Sequence, residues 1–315
     1  MRTLTSVTTG DLPQTALVDD SGDGPAVGGG AIVDTVRFAG VADVGLVGSR
    51  WTPPEAPTAT ALLLHGGGQT RHSWKRTGDH LAASGLRVVS MDCRGHGDSE
   101  WSPDGYYDMD ILAEDVHRVI ADLGGPVTLI GASLGGLTGI AVADRWGPDE
   151  VSALVLVDVV PRYDRGGTRR IRTFMRSGID GFDSLDDAAD AVAAYLPHRK
   201  RPRSIDGLTR NLRRRDDGRW YWHWDPNVIS AETVARIPVD DLDDAAARLR
   251  IPIMLVRGML SDVVPDEVLS AFRERVPHAE ITELRAAGHT AAGDDNDAFS
   301  DAVVDFVGRV IRPGP

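Results

Sequence analysis

Residues 126–136 read Pro-Val-Thr-Leu-Ile-Gly-Ala-Ser-Leu-Gly-Gly, and this stretch decides the fold. Pro126–Gly131 is a short apolar, β-branched run, the pattern of a buried strand. Leu134–Trp146 reads as a helix. Between them Gly131-Ala132-Ser133-Leu134-Gly135 has the form G-x-S-x-G. A serine on so tight a strand-to-helix turn needs small residues two positions either side, because larger side chains would collide. The turn lifts the Ser133 hydroxyl above the sheet. It also aims the Leu134 amide, at a helix N-terminus, toward negative charge developing there. A glycine-rich helix start chosen for close packing has the same pattern, so the rest of the chain must decide.

Outward from this turn the same rhythm repeats. Ala59–Leu64, Leu86–Cys93 and Val151–Val160 are apolar runs, with helical stretches at Ser73–Ser84 and Tyr107–Leu123. Two further strand-like runs, Thr35–Phe38 and Val44–Trp51, precede them. After Pro161 the rhythm stops for some 85 residues, then resumes with Ile251–Arg257, Asp266–Val276, Ala279–Leu284 and Asn296–Ile311 as strand, helix, strand, helix. Unbroken Val/Leu/Ile runs between helices indicate parallel strands buried on both faces, the α/β signature. The expected organisation is a leader over 1–30, a sheet domain over 31–161 and 251–315, and an insertion of helices and loops over 162–250.

Composition narrows the function classes. The chain has 315 residues, 42% hydrophobic and 26% charged, ordinary for a globular protein with a full core. A net charge of −13 repels a phosphate backbone, which argues against nucleic-acid binding. The single cysteine, Cys93, excludes an internal disulfide framework and any cysteine-based zinc site. No apolar run reaches the ~18 residues of a membrane span, and the first twenty residues do not read as a secretory signal. A soluble cytoplasmic protein is expected. The oligomeric state is not legible.

Three features turn the Ser133 turn into a candidate site. His65-Gly66-Gly67-Gly68 follows a strand, and a loop without side chains can bring a backbone amide over the serine. Gly67 is the expected second oxyanion donor, with Gly68 the one-residue alternative and a candidate pocket residue. Asp262 lies just past the strand Ile251–Arg257, and His289 just past the strand ending near Leu284. All lie beyond the carboxyl ends of parallel strands, where open α/β sheets build sites. Asp158, in Leu156-Val157-Asp158-Val159-Val160, is the rival to Asp262. Its apolar flanks and Pro161 favour a structural role, so Asp262 is the expected acid.

Taken together these motifs resemble the α/β-hydrolase superfamily from about Asp34 to the C-terminus. The resemblance rests on the HGGG loop, the run Asp92-Cys93-Arg94-Gly95-His96-Gly97-Asp98-Ser99, the GASLGG turn, Ser261-Asp262 and Gly288-His289. It implies a mostly parallel central sheet with helices on both faces, and a helical cap inserted after the sixth family strand. The 92–99 loop would be mainly structural. By role, Ser133 attacks an acyl carbonyl, His289 is the base, Asp262 orients it, and the Gly67 and Leu134 amides hold the oxyanion. No metal or organic cofactor is required.

The implied activity is hydrolysis of a small or medium carboxylic ester, a lactone or a thioester. A serine at the turn argues against epoxide hydrolases and haloalkane dehalogenases, which use aspartate there. Carbon–carbon bond hydrolases usually show H-G-x-G-P-G and perhydrolases of the haloperoxidase type often H-G-x-P. Both remain alternatives on the same triad, as does a ligand-binding member without catalysis. A dinucleotide site is disfavoured, because Gly131 to Gly136 does not spell G-x-G-x-x-G.

Other residues have plainer readings. His65 and His96 precede glycines in turns, where a structural hydrogen bond is the expected role. Asp294, Asp295 and Asp297 fit helix capping better than a metal cluster. Cys93 fits a buried, inert thiol. The run Trp220-Tyr221-Trp222-His223-Trp224 fits a small core of the insertion, or an aromatic pocket wall through Trp222 and Trp224. Residues 161–220 hold 15 basic and 9 acidic residues, so a basic insertion faces an acidic main domain. Most of these cations would be solvated or paired. One or two facing inward would suit a carboxylate-bearing substrate.

Overall fold

The apolar runs build one eight-stranded sheet among the residues that the computed structural model describes, which are 30–195, 206–285, 287 and 296–311. The leader other than Gly30, the basic run 198–203, His289, Asp294 and Asp295 lie outside them. In chain order the sheet uses β1 Ile32–Ala39, β2 Gly45–Thr52, β3 Thr60–Leu64, β4 Arg87–Asp92, β5 Val127–Ala132, β6 Val151–Val157, β9 Ile253–Gly258 and β10 Glu280–Leu284. Their spatial order is β1-β2-β4-β3-β5-β6-β9-β10. The β1–β2 and β2–β4 pairs are antiparallel, and every pair from β4 to β10 is parallel.

Strand periodicity divides the core in two. Leu62, Leu64, Leu129, Leu154 and Leu156 face one side, where they join residues of α2 (Met109–Leu123) and α3 (Leu134–Trp146). Ala61, Leu63, Ile130, Val155 and Val157 face the other, against α1 (Lys75–Ala83) and the last helix, α9 (Asn296–Ile311). Successive side chains of a strand point to opposite faces, so a strand covered on both sides must be apolar throughout.

Between β6 and β9 the described residues add nothing to this sheet. They form α4 (Arg165–Arg176), α5 (Leu185–Tyr195), a two-stranded hairpin of β7 (Leu212–Arg214) and β8 (Trp220–Trp222), α6 (Ala231–Ala235) and α7 (Val239–Arg248). The hairpin corrects the expectation of helices and loops only. Its strands are three residues long and rich in arginine, too short and polar for a period-2 pattern to register. Met175, Phe182, Leu212, Trp222 and Trp224 form a separate small core here. Helix α7 differs: Leu242, Ala245 and Ala246 join the main core on the α3 side. By packing, the segment outside the main core therefore ends before Val239. No helix among the described residues is long and apolar enough to cross a membrane.

Candidate active site

Ser133 stands between β5 and α3 with φ +48° and ψ −116°, a conformation costly for a residue with a Cβ. The glycines around it are steric requirements. A methyl group at Gly131 would lie 2.3 Å from the Gly135 carbonyl oxygen, and one at Gly135 2.4 Å from that of Leu64. The HGGG loop crosses directly beside the serine, since a Cβ on Gly66 would be 3.1 Å from that of Ser133.

Hydrogen bonds fix this loop on either side of Gly67. The Gly66 amide donates to Gln69 Oε1 at 3.0 Å, and the Gly66 carbonyl accepts from the Gln69 amide at 3.1 Å. His65 Nε2 accepts from the Cys93 amide at 3.0 Å, which leaves the proton on Nδ1 to donate to the Gly66 carbonyl at 2.8 Å. The Gly68 amide donates to His96 Nε2 at 3.2 Å. The Gly67 and Leu134 amides make no hydrogen bond with any described residue. A developing oxyanion requires backbone amides that have no other acceptor.

Both histidines act as neutral acceptors. Burial lowers the pKa of His65, partly offset by Asp92. Burial, with repulsion from His65 4.9 Å away, takes His96 down to about 3. Cys93 is likewise buried, and its thiol is pushed up to about 12 by desolvation, so it carries no thiolate at neutral pH.

The two candidate acids are placed differently. Ala132 pairs with Val157 across β5 and β6, so Ser133 and Asp158 leave adjacent strands side by side. Asp158 has φ +49° and 0% exposure. Its carboxylate accepts from the Gly258 amide at 3.1 Å and from the Ser261 hydroxyl at 2.5 Å. Asp262 points outward: its side chain is 45% exposed and meets Arg170 of α4 at 3.3 Å. His289 lies outside the described residues. The chain before it reaches this edge at buried Ala287, whose carbonyl accepts from the Leu260 amide at 2.9 Å.

The segment after β6 packs near the glycine loop. Met175 of α4 lies over the glycine loop, 2.9 Å from where a Cβ on Gly68 would stand. Trp222 and Trp224 stack 4.8 Å apart within the small core, and with Met175 they border a shallow pocket. Another cavity is lined by Leu134, His96, Met109, Leu112, Val234 and Ile237. No sequence signal marked it, because it unites four separate segments. The two cations at its walls already face carboxylates: Arg94 chelates Asp115, and Arg236 lies 3.5 Å from Asp108. Other cations of the inserted segment also face carboxylates, as in the pairs Arg213–Asp98 and Arg219–Asp183. Among the described residues no cluster of metal-ligating side chains occurs, and Asp297 pairs with Arg76.

The strand order, the serine turn and the crossing glycine loop define the class: residues 62–295 match the family model of the alpha/beta hydrolase fold, and the chain belongs to that family. Among its relatives is the esterase Rv0045c of Mycobacterium tuberculosis, 32% identical over 77% of this chain and 80% of that protein. A solved structure of the M. tuberculosis esterase covers 91% of this chain and 93% of its own, at 30% identity and a TM-score of 0.70. A more distant relative is the 2-hydroxy-6-oxononadienedioate/2-hydroxy-6-oxononatrienedioate hydrolase of Escherichia coli K12, 26% identical over 79% of this chain and 87% of that protein.

Proposed function

We propose that the protein is a cofactor-independent serine hydrolase acting on small, uncharged carboxylic esters. The observation that carries this reading is Ser133, held in a strained turn beside the uncommitted amides of Gly67 and Leu134. In the first half-reaction Ser133 Oγ attacks the ester carbonyl carbon as His289 takes its proton. The oxyanion is received by the two amides, each worth about 3 kcal/mol by analogy with single-donor deletions. The carbon–oxygen bond then breaks, and His289 returns the proton to the departing alcohol. Water next attacks the acyl-enzyme, giving its proton to His289, and Ser133 leaves reprotonated as the acid is released.

Asp158 takes the orienting role in this reading, in place of Asp262. A buried carboxylate already accepting two hydrogen bonds beside the nucleophile suits an imidazolium partner better than an exposed one paired to arginine. Residues 162 to about 237 act as a cap over the edge. The apolar, charge-balanced cavity at Leu134 supports a short neutral acyl group rather than one bearing a carboxylate. The E. coli relative favours a second reading, carbon–carbon bond hydrolysis on the same serine.

Steady-state hydrolysis of p-nitrophenyl esters of increasing acyl length tests the proposal, with matched half-esters and a vinylogous diketone alongside. Turnover should peak at short neutral chains and fall about 10⁴-fold or more in Ser133→Ala. Ester hydrolysis that survives Ser133→Ala contradicts the reading, and turnover of the diketone alone favours the second.

A further inference from the structure

We propose that His96 is a positioning residue that holds the oxyanion amide in place and ties it to the seat of the cap. The inference rests on the reading of Gly67 as an oxyanion donor. Gly67 lies between two peptide groups. The Gly66–Gly67 peptide is held through its carbonyl by His65 and the Gln69 amide. The Gly67–Gly68 peptide is held through its N–H, which donates to His96 Nε2 at 3.2 Å. A planar peptide has its direction set once either end is held. The loop has no side chains of its own at 66–68, so His65 and Gln69 set the direction of the Gly67 N–H from one side, and His96, by holding the peptide that follows, keeps Gly67 from pivoting on the other.

His96 acts from a fixed tautomer. Its Nδ1–H donates to the Arg94 carbonyl at 3.1 Å, so Nε2 presents a lone pair to the Gly68 amide. Its own backbone neighbours are where the inserted segment docks. The Asp225 amide donates to the Gly95 carbonyl at 2.8 Å, and the Gly97 amide donates to His223 Nδ1. Arg213 reaches Asp98 at 2.6 Å, and Tyr107 donates to Asp225 Oδ2 at 2.6 Å. One short turn, 94–98, therefore receives the cap on one side and offers an imidazole to the oxyanion loop on the other. The resemblance assigned this turn a structural role; its bonds give it a second one.

The test compares His96→Ala with His96→Gln, whose amide can accept from Gly68 and donate to Arg94. In His96→Ala, kcat should fall about 10- to 100-fold, more than any rise in KM from losing a ring that also lines the Leu134 cavity, the signature of an interaction made in the transition state. Affinity for an alkyl boronic acid, which forms a tetrahedral adduct on the serine, should fall in step, and His96→Gln should recover most of both. A folded His96→Ala enzyme with wild-type kcat, or a His96→Gln enzyme as impaired as His96→Ala, overturns the inference. Should His96→Ala fail to fold, long-range ¹H–¹⁵N spectra of the wild-type protein decide. They should show His96 neutral with its proton on Nδ1, and a proton on Nε2 overturns the inference. Activity retained in Ser133→Ala would sink the underlying reading. An inactive Ser133→Ala beside a fully active His96→Ala would sink this inference alone.

Discussion

Asp158 occupies a left-handed backbone position at the end of β6, and the carboxylate it buries there faces an amide and a hydroxyl instead of solvent. Holding a non-glycine residue at φ +49° costs about 1–3 kcal/mol, a strain typical of functional turns. Asp262 has none of these features. Asp158→Asn should therefore lower kcat by about 10³- to 10⁴-fold, by presenting an amide where the imidazole needs an anion. Asp262→Asn should leave kcat within about threefold, since an exposed ion pair contributes little. Rate measurements on both variants at saturating ester decide, and the reverse ranking restores Asp262 as the acid. The sequence supports each assignment unequally. Gly131 and Gly135 were legible because a turn without room for Cβ atoms admits few residue types. The two candidate acids are less distinct in the sequence, because Asp158 and Asp262 both follow strands and backbone direction is what separates them.

Elements show the same division. The buried strands and helix α3 could be read directly, since two-sided burial writes an unbroken apolar run and a helix writes its 3.6-residue period. The β7–β8 hairpin could not, with Arg213 and Arg214 in one three-residue strand. Helix α7 looked like part of the insertion because it precedes the next strand, yet Leu242, Ala245 and Ala246 pack with the main core. The cavity at Leu134 is a product of several elements, lined by the Arg94–His96 turn, α2, the start of α3 and the segment around α6. Leu112→Ala should lengthen it and move the preferred acyl chain upward by roughly two carbons, while Val234→Trp should confine activity to acetyl esters. Comparison of kcat/KM across the ester series checks this, and an unchanged chain-length profile in both variants would remove the cavity from the substrate site.

Across the whole molecule, charge is arranged so that a basic insertion lies on an acidic sheet domain. Exposed pairs such as Arg213–Asp98 and Arg170–Asp262 each contribute up to about 1 kcal/mol and guide docking more than they stabilise it. Beneath that contact three imidazoles are buried: His65, His96 and His223. Desolvation lowers all three below the ordinary histidine value of 6.5, with Asp92 opposing it at His65 and Arg213 reinforcing it at His223. The unfolded chain thus binds more protons than the folded one once pH drops below that value. Stability should be full above pH 6.5 and decline as pH falls, by up to about 1.4 kcal/mol per pH unit for each imidazole. Urea unfolding between pH 7.5 and 4.5 measures the slope. His96→Gln should flatten it by about one proton's worth, and an identical slope in that variant contradicts the burial of a neutral imidazole.

The proposed chemistry depends on the nucleophilicity of one hydroxyl, and covalent labelling reads it most directly. Incubation with a fluorophosphonate, digestion and peptide mapping should place the phosphonyl group on Ser133, with labelling abolished in Ser133→Ala and strongly reduced in His289→Ala. Labelling of the native protein at another residue, undiminished when Ser133 is replaced, would contradict the account.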